Sequence, residues 1–544
     1  MLKILKHGVL LFVFCFIAFS SSLFAGYDGT ELNENLNASP TPDHIVLTWT
    51  DDPKTTQTIT WRSSTAVNST EVKYREAEDT KAGFLTEKAA AKKFSAVTGD
   101  KPGSFNIFSI TLKNLKPDTR YVYTVGTGQE STFSTGVKDG EPFMFFVFGD
   151  SQGGGKEPVF LPWHETVTKA YSRHPAAKFM INMGDLTETG MSYMHWNNWF
   201  EAAKGVLDRI PEMPVTGNHE GVGDTAAANS SKPLYFIEQL PVFQNGPGEL
   251  KGETYSYDYG NVHITVLDSE EVYGKEETAK SQLAWLEKDL ASTNKTWKLV
   301  LFHRAPYYNK AARPNEAVKN MLCPIIDRYH VDVVFNGHDH GVARTYPIHA
   351  EKLYSSPKDG TIYYTTGRSG NSTYNDLAKK FWDAFFFDPQ DQPCYQTVQV
   401  KTNVLTINSY KQDGTLLDSY SIDKENDAKS TPSLLPARYN VAHFAVYGEL
   451  PPLAASGNSA PARKVDEKWF VNAKIFMGSI GGGAVMEAQK VELFYEGRNF
   501  KVPPEKTFII KEKKLSFVSV DVIKQFVGFD YYYDEGLNLL VFTK

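Results

Sequence analysis

Val331-Asp332-Val333-Val334-Phe335-Asn336-Gly337-His338-Asp339-His340 carries an apolar run straight into a glycine and two histidines one residue apart. The run is too continuous for a strand with one wet face, so it reads as a strand buried between layers. The same grammar recurs upstream. Phe143 to Phe148 ends in Gly149-Asp150, and Phe179 to Met183 ends in Gly184-Asp185. Pro214-Val215 leads to Gly217-Asn218-His219-Glu220, and Lys298 to Phe302 ends at His303. Strands that each stop at a polar cluster predict a layered α/β domain with its chemistry beyond the strands' carboxyl ends. Ser281 to Leu290, with Leu283, Leu286 and Leu290 at helical spacing, supplies a covering helix.

Collected from these ends are Asp150, Asp185, Asn218, His219, His303, His338 and His340. Carboxylate, carboxamide and imidazole without thiolate suit iron, zinc or manganese better than copper(I) or structural zinc. Taken singly, each has a plain structural reading. Gly-Asp is a common turn, and a lone histidine at a strand end is usually a hydrogen-bonded histidine. The argument rests on their occurring together, in order, each after a buried strand.

Ahead of this domain, Ile45 to Trp49, Thr58 to Arg62, Glu71 to Tyr74 and Phe105 to Leu112 alternate with period two between polar turns, which predicts a β-sandwich. Leu115-Lys116-Pro117-Asp118-Thr119-Arg120-Tyr121 resembles the tyrosine corner of fibronectin type III domains, with Trp61 as a candidate core tryptophan. Behind it, Val398 to Tyr410 and Leu416 to Ile422 around Asp413-Gly414 predict a closing hairpin. Residues 426–465 are rich in Pro, Ala, Ser and Asn, as linkers are.

The fold expected is therefore multidomain. A β-sandwich (40–138) precedes a layered α/β domain (139–425), a linker (426–465) and a small α+β module (466–544). Residues 1–25 place Lys3 and Lys6 before an apolar stretch from Val9 to Phe19 and then Ala25, the pattern of a cleaved secretory leader and an expectation of export. A length of 544 residues with 41% hydrophobic and 22% charged residues excludes a disordered or many-span membrane chain. The formal net charge of −7 gives no general field for nucleic acid. Without the leader two cysteines remain, Cys323 and Cys394, free or paired.

The ordered set Gly149-Asp150, Gly184-Asp185, Gly217-Asn218-His219-Glu220, His303 and Gly337-His338-Asp339-His340 resembles the calcineurin-like metallophosphoesterases. The sandwich in front makes the likeness nearest to purple acid phosphatases, over roughly Ile45 to Ile422. The resemblance implies two metal ions, divalent or mixed-valence, drawn from iron, zinc and manganese. Asp185 would bridge them, Asp150 and His340 would complete one site, and Asn218, His303 and His338 would hold the other. Gln152 stands where many members have a histidine and would ligate through its amide oxygen or hydrogen-bond the loop. His219 would lie beside the substrate phosphate as an acid. Arg344 and Tyr307 would line the pocket, as would Arg304 and Tyr308.

The implied activity is hydrolysis of small phosphoric esters by an exported enzyme, with monoesters first. Two cations neutralise an anionic ester and lower the pKa of a bound water, and an acid opposite the attack helps the alkoxide leave. Diesters or nucleotides on the same metals are the alternative. A noncatalytic surface-binding protein is the alternative from another class. The C-terminal stretch resembles, through Phe470-Val471-Asn472 and Phe529 to Asp534, the copper amine oxidase N-terminal-like domain; with eleven basic and eleven acidic residues from Asp466 on, it is expected to be a spacer or to attach the protein to a cell surface or wall. One departure matters. Purple acid phosphatases carry a metal-binding tyrosine three residues after the second aspartate, where this chain has Glu188. A site without that phenolate is expected to be colourless unless another tyrosine, such as Tyr193, reaches the metal.

Overall fold

The computed structural model describes residues 27, 29, 32–153, 160–274, 276–310, 313, 315–374, 377, 379–380, 382–426, 441–446, 462–487, 490–510, 515–534 and 539–543. The expected leader lies outside these residues.

The N-terminal domain comprises β1 (Asp43–Thr48), β2 (Gln57–Ser63), β3 (Ser69–Glu76), β4 (Leu85–Ala90), β5 (Lys92–Thr98), β6 (Lys101–Leu112), β7 (Arg120–Val125) and β8 (Ser131–Ser134). They pair as two four-stranded sheets, β1-β2-β6-β5 and β4-β3-β7-β8, around Leu47, Ile59, Trp61, Phe108, Tyr121 and Phe133. The Tyr121 hydroxyl accepts the Lys116 backbone N–H at 2.9 Å, closing the corner read from the sequence. Every residue of β2 is buried, which an alternating strand achieves only when both faces are covered. The second cover is the next domain. Leu47 N–H donates to the Leu207 carbonyl and Glu212 N–H to that of Leu47. Arg62 grips Asp43 with two bonds and donates a third, 2.7 Å long, to Asn197.

The central domain stacks two sheets between helices. One is β10-β9-β20-β21-β22, from β9 (Phe143–Phe148), β10 (Met180–Asn182), β20 (Cys394–Lys401), β21 (Val404–Lys411) and β22 (Leu416–Asp423). The other, β11-β12-β13-β14-β18-β15-β19, uses β11 (Tyr255–Tyr259), β12 (Val262–Val266), β13 (Trp297–Arg304), β14 (Val333–Gly337), β15 (Val342–Thr345), β18 (Ile362–Thr366) and β19 (Asp383–Phe387). A small ribbon, β16 (Ile348–His349) with β17 (Lys352–Leu353), lies between β15 and β18 in sequence. Phe145, Val147, Ile264, Leu299, Leu301, Phe335, Val398 and Ile407 fill the space between the sheets. Phe146 and Phe148 meet the helices Leu161–Arg173 and Tyr193–Ala202 on one outer side, and Val300, Phe302 and Val334 meet Glu276–Ser292 and Glu316–Arg328 on the other. β9, β13 and β14 are thus wetted on neither face, which is why each reads as a run and not an alternation. β9 and β10 are parallel, as are β12, β13, β14 and β18, so the polar strand ends converge on one rim.

The linker expectation needs correcting. Val441–Val446 is a strand, paired in parallel with Leu539–Thr543 and antiparallel with Ala462–Val465, inside the seven-stranded C-terminal sheet. The alternating Val-Ala-His-Phe-Ala-Val carries Phe444 into that sheet's core, a pattern masked by the proline-rich residues on either side. Cys323 and Cys394 are free and buried, in different apolar clusters.

Candidate metal centre

Three backbones at this rim are left-handed without being glycine: Asp150 (φ 48°), Asp185 (φ 52°) and His338 (φ 69°). Such angles cost energy and gather where a site dictates the backbone. Each follows a glycine that lets neighbouring strand ends close up. A Cβ on Gly184 would come 2.7 Å from His303 Nδ1, and one on Gly337 would come 2.6 Å from the Met183 carbonyl.

Those contacts set the ligand orientations. His303 Nδ1–H donates to the Met183 carbonyl at 2.7 Å, so Nε2 faces the cluster, 3.1 Å from Asp185 Oδ2 and 3.2 Å from Asn218 Oδ1. Asp185, His303 and His338 bring one donor atom each to within 4.8 Å of one another. His340 Nε2 lies 3.4 Å from Asp150 Oδ1, and Asp150 also accepts the His338 backbone N–H. Asp150, Asp185, His303, His338 and His340 are all buried. Burial resists the charged form of His303, yet Asp185 outweighs it and lifts this pKa to about 10. Burial and the charge of His303 press the His338 pKa well below the ordinary value, leaving a neutral imidazole fit to ligate.

The residues fit metal ions by a second measure. His338 Nδ1, both ring nitrogens of His340 and Gln152 Oε1 are buried with no hydrogen-bond partner among the described residues. Buried polar atoms are ordinarily paired, so these four call for a partner of another kind. Gln152 therefore has an amide oxygen to offer, as its position suggested.

His219 stands beside the cluster. Its backbone N–H donates to Asp185 Oδ1 at 2.8 Å, and its Nδ1–H donates to the Glu188 carbonyl at 2.7 Å, leaving Nε2 4.0 Å from Asp185 Oδ2. Glu220, in the same motif, braces the cluster from behind: buried, it accepts the backbone N–H groups of Asp185, Leu186 and Gly217. Asp339 does the same for the loop in front, accepting the N–H groups of Asn309 and Lys310 and the Arg313 guanidinium. Neither role is visible in sequence, because each depends on which loops the strand ends bring together.

Two expected pocket residues are elsewhere. Arg344 on β15 is buried between the sheets, where it donates to Asp418 on β22 at 2.7 and 3.1 Å and lies 4.2 Å from the Tyr420 ring centre. It is an ion pair joining the two sheets. Tyr307 is buried against Tyr363 and Trp382, ring centres 4.7 and 5.7 Å away, in the core under the helix Glu316–Arg328. Sequence adjacency to His340 or His303 did not fix which way the chain turns. Arg304 does reach the cluster. Glu270 holds its Nε and Nη2 at 2.8 and 2.7 Å, and Nη1 donates to His338 Nε2 at 3.4 Å. Tyr193 is not at the cluster: its hydroxyl donates to Gln239 in the core against Phe105. The tyrosine that is there is Tyr374, its ring stacked on His340 at 4.2 Å.

Residues 42–137 match the family described as purple acid phosphatase, N-terminal domain, and residues 143–342 match calcineurin-like phosphoesterase. The chain is 28% identical over 270 residues to an uncharacterized protein of Mycobacterium tuberculosis, covering 44% of this chain and 50% of that protein. It is 27% identical over 369 residues to acid phosphatase type 7 of Mus musculus, covering 61% and 78%. The match thus spans about half the length of the mycobacterial relative. A solved structure, the purple acid phosphatase PPD1 from yellow lupin (Lupinus luteus) seeds, shares the fold with a TM-score of 0.59 at 21% identity, over 72% of this chain and 75% of that one. With both families matched in tandem and the strand-end cluster assembled as described, the chain belongs to the calcineurin-like phosphoesterases and carries the purple acid phosphatase type of N-terminal domain.

Proposed function

We propose that this chain is an exported, dinuclear-metal phosphomonoesterase. The observation that carries this reading is the cluster of donors at the strand ends, most of them buried and several with no partner among the described residues, next to a histidine fixed by its Nδ1. Asp150, Gln152, Asp185, Asn218, His303, His338 and His340 would hold two ions of iron, zinc or manganese, with Asp185 between them. When bound, the ions supply charge neutralisation of the phosphate and activation of the attacking water.

The protein's own groups do the rest. Glu220 and the Met183 carbonyl keep Asp185 and His303 aimed inward. The Glu188 carbonyl takes the Nδ1–H of His219, so a proton on Nε2 is directed at the cluster. Burial opposes that proton, while Asp185 and Glu188 favour it and raise the pKa above the ordinary imidazole value. His219 would then deliver it to the departing oxygen. Arg304, steadied by Glu270, presents a guanidinium nitrogen beside His338 where it can hold a phosphoryl oxygen.

Export rests on the leader pattern of residues 1–25. A spacer or surface-attachment role for the C-terminal module fits its separate core. The test is metal analysis of the mature protein joined to a screen of monoesters, diesters and nucleotides. Two bound ions with turnover of monoesters support the reading. Metal-loaded protein with turnover of diesters alone, or with none, overturns it.

A further inference from the structure

The turn of the β5–β6 hairpin carries the N-terminal sandwich to the loops around His219. Thr98 pairs with Lys101 at the hairpin's end, and Gly99 takes the turn in the left-handed region at φ 57°. The helix Tyr193–Ala202 starts at Ser192, whose hydroxyl does not cap it. That hydroxyl donates instead to Thr98 Oγ1 at 3.3 Å, and the same Thr98 oxygen accepts the Met194 backbone N–H at 2.9 Å. The first N–H groups of a helix have no partner within it, and the residue at the cap ordinarily takes one of them. Here the cap comes from the other domain. Ser192 is buried and Thr98 half-buried, so little water competes for these bonds. One residue on, the Gly99 N–H donates to Asp224 Oδ2 at 2.5 Å.

The two grips fall on the two segments that aim His219. Glu188, whose carbonyl takes the His219 Nδ1–H, lies just ahead of Ser192, and Asp224 lies just beyond His219. The segments are laced together, with the Gly190 N–H donating to the His219 carbonyl at 2.9 Å and the Met191 N–H to that of Val222 at 2.8 Å. The Trp196 indole N–H donates to the Gly190 carbonyl at 2.7 Å, which ties the first turn of the helix to the Glu188 segment. We propose that Thr98, with the Gly99 amide beside it, is a positioning residue for His219. The sandwich is then part of the apparatus that orients the acid, and not a spacer in front of it. This rests on the phosphoesterase reading above for the role of His219, and goes beyond it in giving the N-terminal domain a share in the reaction.

The experiment uses the full-length, metal-loaded protein with glycerol 2-phosphate, a poor leaving group, and p-nitrophenyl phosphate, which needs no proton to leave. Thr98→Val keeps the side-chain shape and removes the accepting oxygen. It is expected to lower kcat for glycerol 2-phosphate about tenfold, a modest cost for a displaced reacting group, and kcat for p-nitrophenyl phosphate less than about twofold. KM and metal content are expected to stay as in the wild type. Thr98→Ser should restore the loss. Asp224→Ala, which frees the second grip without touching the sandwich, should give the same selective loss. Ser131→Ala cuts another bond between the domains, from Ser131 Oγ to Asp208 Oδ2 at 2.7 Å, and should change neither kcat. An unchanged ratio of the two kcat values in Thr98→Val or Asp224→Ala, a Thr98→Ser variant as impaired as Thr98→Val, or the same selective loss in Ser131→Ala overturns the proposal. A metal-loaded wild type that hydrolyses neither ester counts against the phosphatase reading. Hydrogen exchange then still decides the positioning role: faster exchange at the Gly190 and Val222 amides in Thr98→Val supports it, and unchanged exchange overturns it.

Discussion

Two clusters in the central domain, each built on a buried histidine, are made of the same residue types and behave in opposite ways. At the rim, aspartates and histidines meet with nitrogen atoms left over. On β12, His263 sits between Asp258 and Asp289, Nδ1 at 2.8 Å from one and Nε2 at 3.0 Å from the other. Asp289 is filled further by the hydroxyls of Ser256 and Thr265. Burial would depress the His263 pKa, but the two carboxylates outweigh it and push it up to about 9. The trio is therefore an imidazolium clamp that ties β11 and β12 to the helix Glu276–Ser292, with no ring nitrogen left to offer an ion. Histidine beside aspartate does not make a metal site. Lone pairs left unclaimed in a buried space do.

The widest separation between the clusters is expected from Asp185→Asn. Losing the carboxylate proposed to lie between the two ions should remove metal and lower kcat by ~10⁴ or more, read by metal analysis beside steady-state kinetics. Retained metal with near-normal turnover would erase the distinction. His219→Ala sharpens it on the chemical side. A fall in kcat of ~10²–10⁴ is expected for alkyl phosphates, with a smaller one for aryl phosphates and metal content unchanged. Equal losses on both substrates would discard the acid role.

The clamp should answer to pH and not to metal. Its folded pKa of about 9 lies above the ordinary 6.5, so its stabilisation is complete below about pH 6.5 and is lost as pH rises through 9. His263→Gln should cost up to about 3 kcal/mol at pH 6 and little at pH 9.5, with kcat and metal content as in the wild type. Thermal melts across that range decide it; a constant difference between the two proteins would mean that charge is not what the trio contributes. The smallest expected signal is optical. With Glu188 at the tyrosine position, Tyr193 bonded to Gln239 and Tyr374 lying flat on His340, iron-loaded protein is expected to show no strong visible band. A strong band abolished by Tyr374→Phe would make that ring a ligand.

The strand-end positions were legible because a buried parallel strand announces itself as an apolar run, and its carboxyl end is where chemistry collects. Asp150, Asp185, Asn218, His303, His338 and His340 meet where that logic put them. The residues that failed are those that follow a ligand by a few positions. Arg344 and Tyr307 were placed by proximity along the chain, and the direction of the next turn sent both into cores. Val441–Val446 was hidden by the composition around it, since a six-residue strand cannot outweigh the prolines flanking it. Lys310, Arg313 and Tyr374 belong to loops with no period, and only the closing of one loop on another gives them meaning.

Asp339 sits between two of the proposed ligands, His338 and His340; its carboxylate is turned to the neighbouring loop, where it receives the amide protons of Asn309 and Lys310. Any settling of His338 and His340 is therefore passed to those two amides through one residue. Their hydrogen-exchange rates become a gauge of occupancy at a distance from the ions themselves. Chelation should speed exchange at Asn309 and Lys310 while the amides of β20 and β21, paired residue by residue from Cys394–Lys411 to Lys401–Val404, stay slow. Exchange at the two amides that ignores chelation would mean the loop is held by Asp339 alone, whatever the ions do.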